Sequence, residues 1–121
     1  MISIGLDIGS VAAKGVLLQE GQQHLMIIPT GWSPRQAGEQ LIDSLLQRAG
    51  YPVKDVHNIT VTGYGRVALN NGARTVTEIK CHARGVAALY PQVRTIIDIG
   101  GQDSKAIQID SRGRVIDFVM N

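Results

Sequence analysis

The sequence predicts an α/β fold in which a mixed sheet carries helices on its faces. Short apolar segments follow one another at the start of the chain, two later segments have helical periodicity, and a hairpin motif occurs twice. Strands that first form a meander and then alternate with helices are typical of a layered α/β domain. The 121 residues suffice for one domain, or for one domain and part of a second.

The first half of the chain predicts three strands and one helix. Ser33, Pro34 and Gln36 have the spacing of a helix N-cap, a first helical residue and a capping-box partner. Apolar residues then recur at helical spacing until Gly50, which ends the helix. The strands are predicted at residues 2–6, 15–18 and 24–28.

The second half predicts a second helix between further strands. A glycine-containing loop is predicted at residues 63–66, followed by a helical turn at 67–70. Apolar residues from Ala83 to Tyr90 mark the second helix, which Pro91 ends. The strands are predicted at residues 58–62, 75–79, 94–99, 106–109 and 115–120.

Composition excludes several classes of protein. The net charge is only +2, and the 12 basic residues are scattered, so nucleic acid is not an expected partner. No apolar stretch reaches the roughly 18 residues that cross a bilayer, and the first residues lack the pattern of a signal peptide. We therefore expect a cytoplasmic protein without a membrane segment. The single cysteine, Cys81, excludes an internal disulfide framework.

The repeated hairpin is the most informative feature of the sequence. Residues 4–18 and 95–109 align without a gap, so that Asp7 matches Asp98 and Lys14 matches Lys105. In each copy a strand ends in a carboxylate and is followed by glycines, whose backbone N–H groups are free to face an anion. Two such hairpins across a cleft would hold a polyphosphate from both sides.

The repeat predicts a phosphate site with a metal ion. Asp7 and Asp98 cannot bind anions directly, and Mg²⁺ with its waters suits the place between carboxylates and phosphate oxygens. The alternative is that both aspartates are turn residues bonded to local backbone, and that the lysines are solvated surface. Phosphate contacts are predicted for Gly9, Ser10, Lys14, Gly100, Gly101, Gln102 and Asp103.

These motifs resemble the superfamily of actin, sugar kinases, acetate kinase and the heat-shock chaperone ATPases, which have duplicated ribonuclease H-like lobes. Residues 4–18 are similar to the first phosphate hairpin of that superfamily, and residues 95–109 to the second. The resemblance implies a first ribonuclease H-like lobe at residues 1–93. It also implies that residues 94–121 are the opening hairpin of an incomplete second lobe.

Five ordered segments narrow the resemblance to the BadF/BadG/BcrA/BcrD-type ATPases, the activators of 2-hydroxyacyl-CoA dehydratases and benzoyl-CoA reductases. They are LDIGSVAAKGVLL, TGYGR at 62–66, TEIKCHARG at 77–85, IDIGGQDSKAI at 97–107 and DFVMN at 117–121. The family implies a homodimer with ATP and Mg²⁺ in each subunit. It also implies a [4Fe–4S] cluster that bridges the subunits and passes an electron to the partner enzyme. The family's cluster cysteines are absent from this chain, because Cys81 matches a helix position that is not a cluster ligand.

The resemblance also implies roles for three acidic residues. Asp98 is expected to position the attacking water, and Asp7 is expected to organise Mg²⁺ together with Asp98, through water rather than directly. Glu78 is similar to an acidic residue beside the metal-bound water, although a glutamate at a helix N-terminus is equally explained by the helix dipole.

Two other functions stay open. One is a truncated, catalytically inactive paralogue that acts as an interaction module, so that the isolated chain would lack ATPase activity. The other is a small-molecule kinase lobe of the same superfamily, which TGYGR and TEIKCHARG disfavour. The loop 62–66 is either structural or a contact for nucleotide or partner.

Overall fold

A computed structural model describes residues 1–69, 73–100 and 103–121. The chain divides into two compact units, Met1–Val76 and Thr77–Asn121. The predicted division after residue 93, which concerns two lobes of a longer fold, stays a prediction. In the order of the chain, the elements are β1 (Ile2–Ile8), β2 (Ala12–Gln19), β3 (Gln22–Pro29), α1 (Pro34–Ala49), β4 (Val56–Thr62), β5 (Arg74–Thr75), α2 (Glu78–Leu89), β6 (Thr95–Ile99), β7 (Ser104–Ile109) and β8 (Val115–Met120).

The first unit contains a five-stranded mixed sheet in the order β3-β2-β1-β4-β5. β1, β2 and β3 form an antiparallel meander, whereas β4 is parallel to β1 and β5 is parallel to β4. The mixed sheet and the meander predicted from the sequence are thus confirmed. Because β1 and β4 are parallel, their carboxyl ends meet at one edge of the sheet.

Helix α1 covers one face of this sheet. Its N-cap is Ser33, whose hydroxyl accepts a hydrogen bond from the Gln36 N–H at 3.1 Å, and its C-cap is Gly50 in the left-handed conformation. Leu41 and Leu45 are fully buried against the strands. Gly15 permits this close packing, since a Cβ there would lie 2.9 Å from Leu45 Cδ1.

The second unit is an antiparallel three-stranded sheet, β6-β7-β8, with α2 on one face. Ala83 of α2 packs with Ile96 and Ile107 in a small core. The opposite face exposes Ile97, Ile99 and Val119. The strand predicted at residues 75–79 is wrong, because β5 ends at Thr75 and the Thr77 hydroxyl caps α2 by accepting from the Lys80 N–H at 3.4 Å.

No helix in the described part of the chain combines the length and the apolar character that a membrane crossing requires.

Candidate functional site

The first Asp-Ile-Gly segment forms the tight turn between β1 and β2. The antiparallel register pairs Asp7 with Lys14, and Lys14 Nζ lies 3.7 Å from Asp7 Oδ2. The Gly9 N–H donates to the Ala12 carbonyl at 3.0 Å and closes the turn. A Cβ on Gly9 would lie 2.8 Å from that carbonyl oxygen, so only glycine fits without a shift of the backbone.

The second Asp-Ile-Gly segment repeats this geometry between β6 and β7. Asp98 pairs with Lys105 in the antiparallel register, at 3.4 Å between Asp98 Oδ2 and Lys105 Nζ. The Gly100 N–H donates to the Asp103 carbonyl at 2.8 Å. The structure therefore forms the sequence repeat as two equivalent hairpins. Gly101 and Gln102, for which phosphate contacts are predicted, lie outside the described residues.

Lys105 is a buried cation between two carboxylates, with only 7% of its side chain exposed. Its ammonium donates to Asp103 Oδ1 at 2.9 Å as well as to Asp98 Oδ2. The hydrogen bond to Asp103 raises the pKa of Lys105 above its usual value, although desolvation opposes the shift. Lys105 therefore stays charged and fixes both carboxylates.

His82 is a further neighbour of Asp98. It comes from α2, and its Nε2 lies 3.8 Å from Asp98 Oδ2, the same oxygen that Lys105 contacts. Both contacts thus fall on one carboxylate oxygen and leave Oδ1 to other partners. The sequence did not identify His82 as a neighbour of Asp98, because this adjacency depends on how α2 packs against the sheet.

The backbone N–H groups of the two turns differ in whether they have an acceptor. The Gly9 and Gly100 N–H groups donate within their own turns, and their predicted contacts with phosphate stay a prediction. In the first turn, the N–H groups of Ser10 and Val11 have no acceptor among the described residues. We infer that the glycines supply space, whereas these two N–H groups are the donors available to a ligand.

Thr30 holds the first turn in place through two hydrogen bonds. Its hydroxyl donates to the Gly9 carbonyl at 2.7 Å, and its own N–H donates to the Val11 carbonyl at 2.9 Å. Thr30 is buried, at 5% exposure. No local pattern indicates this residue, because it lies 21 residues from Gly9 and is joined to it only by the pairing of β2 with β3.

The loop after β4 lies directly on the end of β1. Gly63 has a φ of 95°, and a Cβ there would lie 2.5 Å from both Asp7 Oδ1 and the Ile8 carbonyl oxygen. The Gly65 N–H donates to the same Ile8 carbonyl at 2.8 Å. Arg66 Nη1 donates to the Gly63 carbonyl at 3.0 Å, whereas Tyr64 is exposed. The loop thus packs on the end of β1 and borders the Asp7 carboxylate, and a contact of this loop with nucleotide or partner stays a prediction.

The oxygen atoms at the carboxyl ends of β1 and β4 fit a hard cation such as Mg²⁺. Mg²⁺ takes oxygen ligands, keeps several waters and needs only one or two carboxylates beside phosphate. Asp7 supplies a partly exposed carboxylate, and the buried Thr62 hydroxyl beside it has no hydrogen-bond partner within the described residues. In the same residues, no cluster of three or more His, Cys, Asp or Glu side chains is arranged to hold a metal directly.

Glu78 and Cys81 lie on α2. Glu78 is the first residue of the helix, where the dipole favours a carboxylate, and its predicted place beside a metal-bound water stays a prediction. Cys81 is a free, half-buried thiol. The next residue, His82, contacts Asp98 instead, so Cys81 and His82 do not form a common metal site.

Known proteins match the chain over nearly its whole length. The model of the BadF/BadG/BcrA/BcrD ATPase family matches residues 4–121. The 2-hydroxyisocaproyl-CoA dehydratase activator of Clostridioides difficile is 39% identical over 122 residues, which are 100% of this chain and 46% of that protein. The activator of lactoyl-CoA dehydratase of Anaerotignum propionicum is 38% identical over 125 residues, which are 100% of this chain and 47% of that protein.

Two solved structures share the fold. The activator of the 2-hydroxyisocaproyl-CoA dehydratase from Clostridium difficile with bound ADPNP has a TM-score of 0.82 at 39% identity, and the match covers 100% of this chain and 46% of that one. Component A of the Acidaminococcus fermentans (R)-2-hydroxyglutaryl-CoA dehydratase has a TM-score of 0.88 at 33% identity. That match covers 100% of this chain and 47% of the other. The chain thus spans about half the length of these relatives.

Proposed function

Because the chain belongs to the BadF/BadG/BcrA/BcrD ATPase family, we propose that it carries the phosphate-binding hairpins of an ATPase that activates a 2-hydroxyacyl-CoA dehydratase or benzoyl-CoA reductase. One observation carries the proposal. The two Asp-Ile-Gly turns have the same cross-strand Asp–Lys pair and the same closing hydrogen bond from glycine. Two unrelated turns have no reason to share both features.

The proposed ligand is ATP with Mg²⁺. We expect the Ser10 N–H to donate to phosphate oxygens at the first turn and the Lys14 ammonium to neutralise part of their charge. Asp7 would hold the ion through its waters, and the ion would neutralise charge that develops on the transferred phosphoryl group. The ADPNP-bound relative supports this assignment, since its matched half is 39% identical to this chain.

We assign Asp98 to the attacking water. Lys105 and His82 contact Oδ2, so Oδ1 is the oxygen that can accept a proton from water as the water oxygen bonds to the γ-phosphorus. The bond from that phosphorus to the bridging oxygen then breaks, which leaves ADP and inorganic phosphate. Lys105 acts through Asp98 and is a positioning residue.

The residues of this chain do not fit an iron–sulfur cluster. A [4Fe–4S] cluster needs several cysteine thiolates, and these 121 residues contain one cysteine, on α2. We therefore derive no electron-transfer step within the chain. A homodimer, the dehydratase or reductase partner and a cytoplasmic location remain part of the proposal by relation to the family.

Calorimetry with Mg–ATP tests the proposal. We expect the parent chain to bind Mg–ATP, D7N to bind it at least about tenfold more weakly, and D98N to stay within about threefold, because Asp98 is assigned to the hydrolysis step; D7N should bind metal-free ATP no worse than the parent. D43N on α1 and D117N on β8 make the same charge change at exposed sites and are the controls. If neither the parent nor a longer chain that continues past Asn121 binds nucleotide, the inactive interaction module is the better assignment; binding by the longer chain alone would retain the proposal.

A further inference from the structure

Three polar side chains are buried in the described residues, and all three lie at the Asp-Ile-Gly turns. They are Thr30, Thr62 and Lys105. Thr30 donates to the Gly9 carbonyl, and Lys105 donates to two carboxylates. Thr62 is 8% exposed, and in the described residues its hydroxyl is the one buried side-chain polar group that has no hydrogen-bond partner. A buried hydroxyl without a partner costs free energy, so its retention requires an explanation.

Thr62 stands next to Asp7 at the carboxyl edge of the sheet. The parallel register of β1 and β4 pairs the two residues, so their side chains project from the same face, on strands about 4.8 Å apart. Gly63 then brings the chain against Asp7 Oδ1, while Lys14 approaches Asp7 Oδ2. The hydroxyl therefore lies beside the carboxylate that the proposed function assigns to Mg²⁺.

We infer that Thr62, at the end of β4 beside the first hairpin, is a ligand-contacting residue whose hydroxyl hydrogen-bonds either a metal-bound water at Asp7 or a phosphate oxygen of the nucleotide. The inference rests on the proposed function. A hydroxyl both donates and accepts, so it suits either oxygen.

The test compares T62V, which replaces the hydroxyl by a methyl group of similar size, with T62S, which retains it. Calorimetry measures ATP binding with Mg²⁺ and in a chelator, and thermal unfolding is followed without ligand. We expect T62V to bind Mg–ATP about tenfold more weakly, T62S to stay within about threefold of the parent, and unliganded T62V to unfold at the same or a higher temperature. A merely structural hydroxyl would lower the unfolding temperature and leave binding unchanged.

The two binding measurements, one with Mg²⁺ and one in a chelator, also identify the atom that the Thr62 hydroxyl contacts. A loss confined to the Mg²⁺ arm assigns the hydroxyl to metal-bound water, and an equal loss in both arms assigns it to a phosphate oxygen. Unchanged binding by T62V overturns the inference, and so does a T62V chain that does not fold. If neither the parent nor the longer chain binds, the proposed function fails first and takes this inference with it.

Discussion

Lys105 Nζ lies 3.4 Å from Asp98 Oδ2 in the interior of its hairpin, whereas the equivalent Lys14 lies 3.7 Å from Asp7 Oδ2 with 47% of its side chain exposed. One position of the repeat contributes to this difference. The residue that closes the turn is Asp103 in the second copy and Ala12 in the first. Asp103 adds a second carboxylate to the lysine, which makes a buried three-residue network from an exposed pair.

The buried network predicts that the two lysines differ in their contribution to stability. K105M leaves two carboxylates without their cation and should lower the free energy of unfolding by about 1–3 kcal/mol. K14M breaks an exposed pair and should cost less than about 1 kcal/mol. Urea unfolding followed by circular dichroism measures both. Equal losses would show that burial of Lys105 has no energetic consequence.

The anchor at Thr30 predicts a looser first turn when its hydroxyl is removed. T30V should lower the free energy of unfolding by about 1 kcal/mol, because the Gly9 carbonyl loses its donor. It should also speed hydrogen exchange of the Gly9 N–H, which closes the turn on Ala12. T30S keeps the hydroxyl and serves as the control. Unchanged exchange in T30V would show that the turn holds itself without Thr30.

Substitutions at Gly50 and Gly63 distinguish the cost of a positive φ from the cost of a steric clash. Both have positive φ, but a Cβ on Gly50 meets nothing within 4 Å, whereas one on Gly63 meets Asp7 Oδ1 at 2.5 Å. G50A should therefore cost about 1 kcal/mol from its backbone conformation alone. G63A should cost at least about 1 kcal/mol more and should weaken Mg–ATP binding, because it displaces Asp7. Matching denaturation midpoints for the two variants would contradict the close approach.

Asp110 predicts an acid-dependent contribution to stability. It accepts hydrogen bonds from the Arg114 N–H and side chain and from the Arg112 N–H, and these lower its pKa from 3.8 to about 2. Because the folded-state pKa is lowered, the contribution is fully present above 3.8 and is lost as the pH falls through about 2.

The measurement for Asp110 is the difference in thermal midpoint between the parent and D110N from about pH 5 to about pH 2. The parent should unfold at the higher temperature near pH 5, and the difference should shrink as the pH falls. Other carboxylates titrate in both proteins and cancel in the difference. A gap that stays constant or widens in acid would exclude the assigned pKa shift.

The local sequence pattern was sufficient to predict the two hairpins, the capped helix α1 and the membership of the family. The gap-free repeat predicted that residues 4–18 and 95–109 form two similar hairpins, and the strand registers of both copies agree with this, pairing Asp7 with Lys14 and Asp98 with Lys105. These features are short-range, since turn glycines, caps and alternation act within a few residues. The strand predicted at residues 75–79 failed for the same local reason, because β-branched residues favour a strand while Thr77 also caps a helix.

Only the tertiary structure decided which side chains surround the two aspartates. His82 reaches Asp98 from another element, Thr30 reaches Gly9 across the sheet, and Thr62 stands beside Asp7 through a parallel pairing. Identical Asp–Lys patterns also acquired different burial, which depends on Asp103 and on the packing around β7. Such contacts join residues far apart in the chain, so their strength depends on burial and geometry that no local pattern contains.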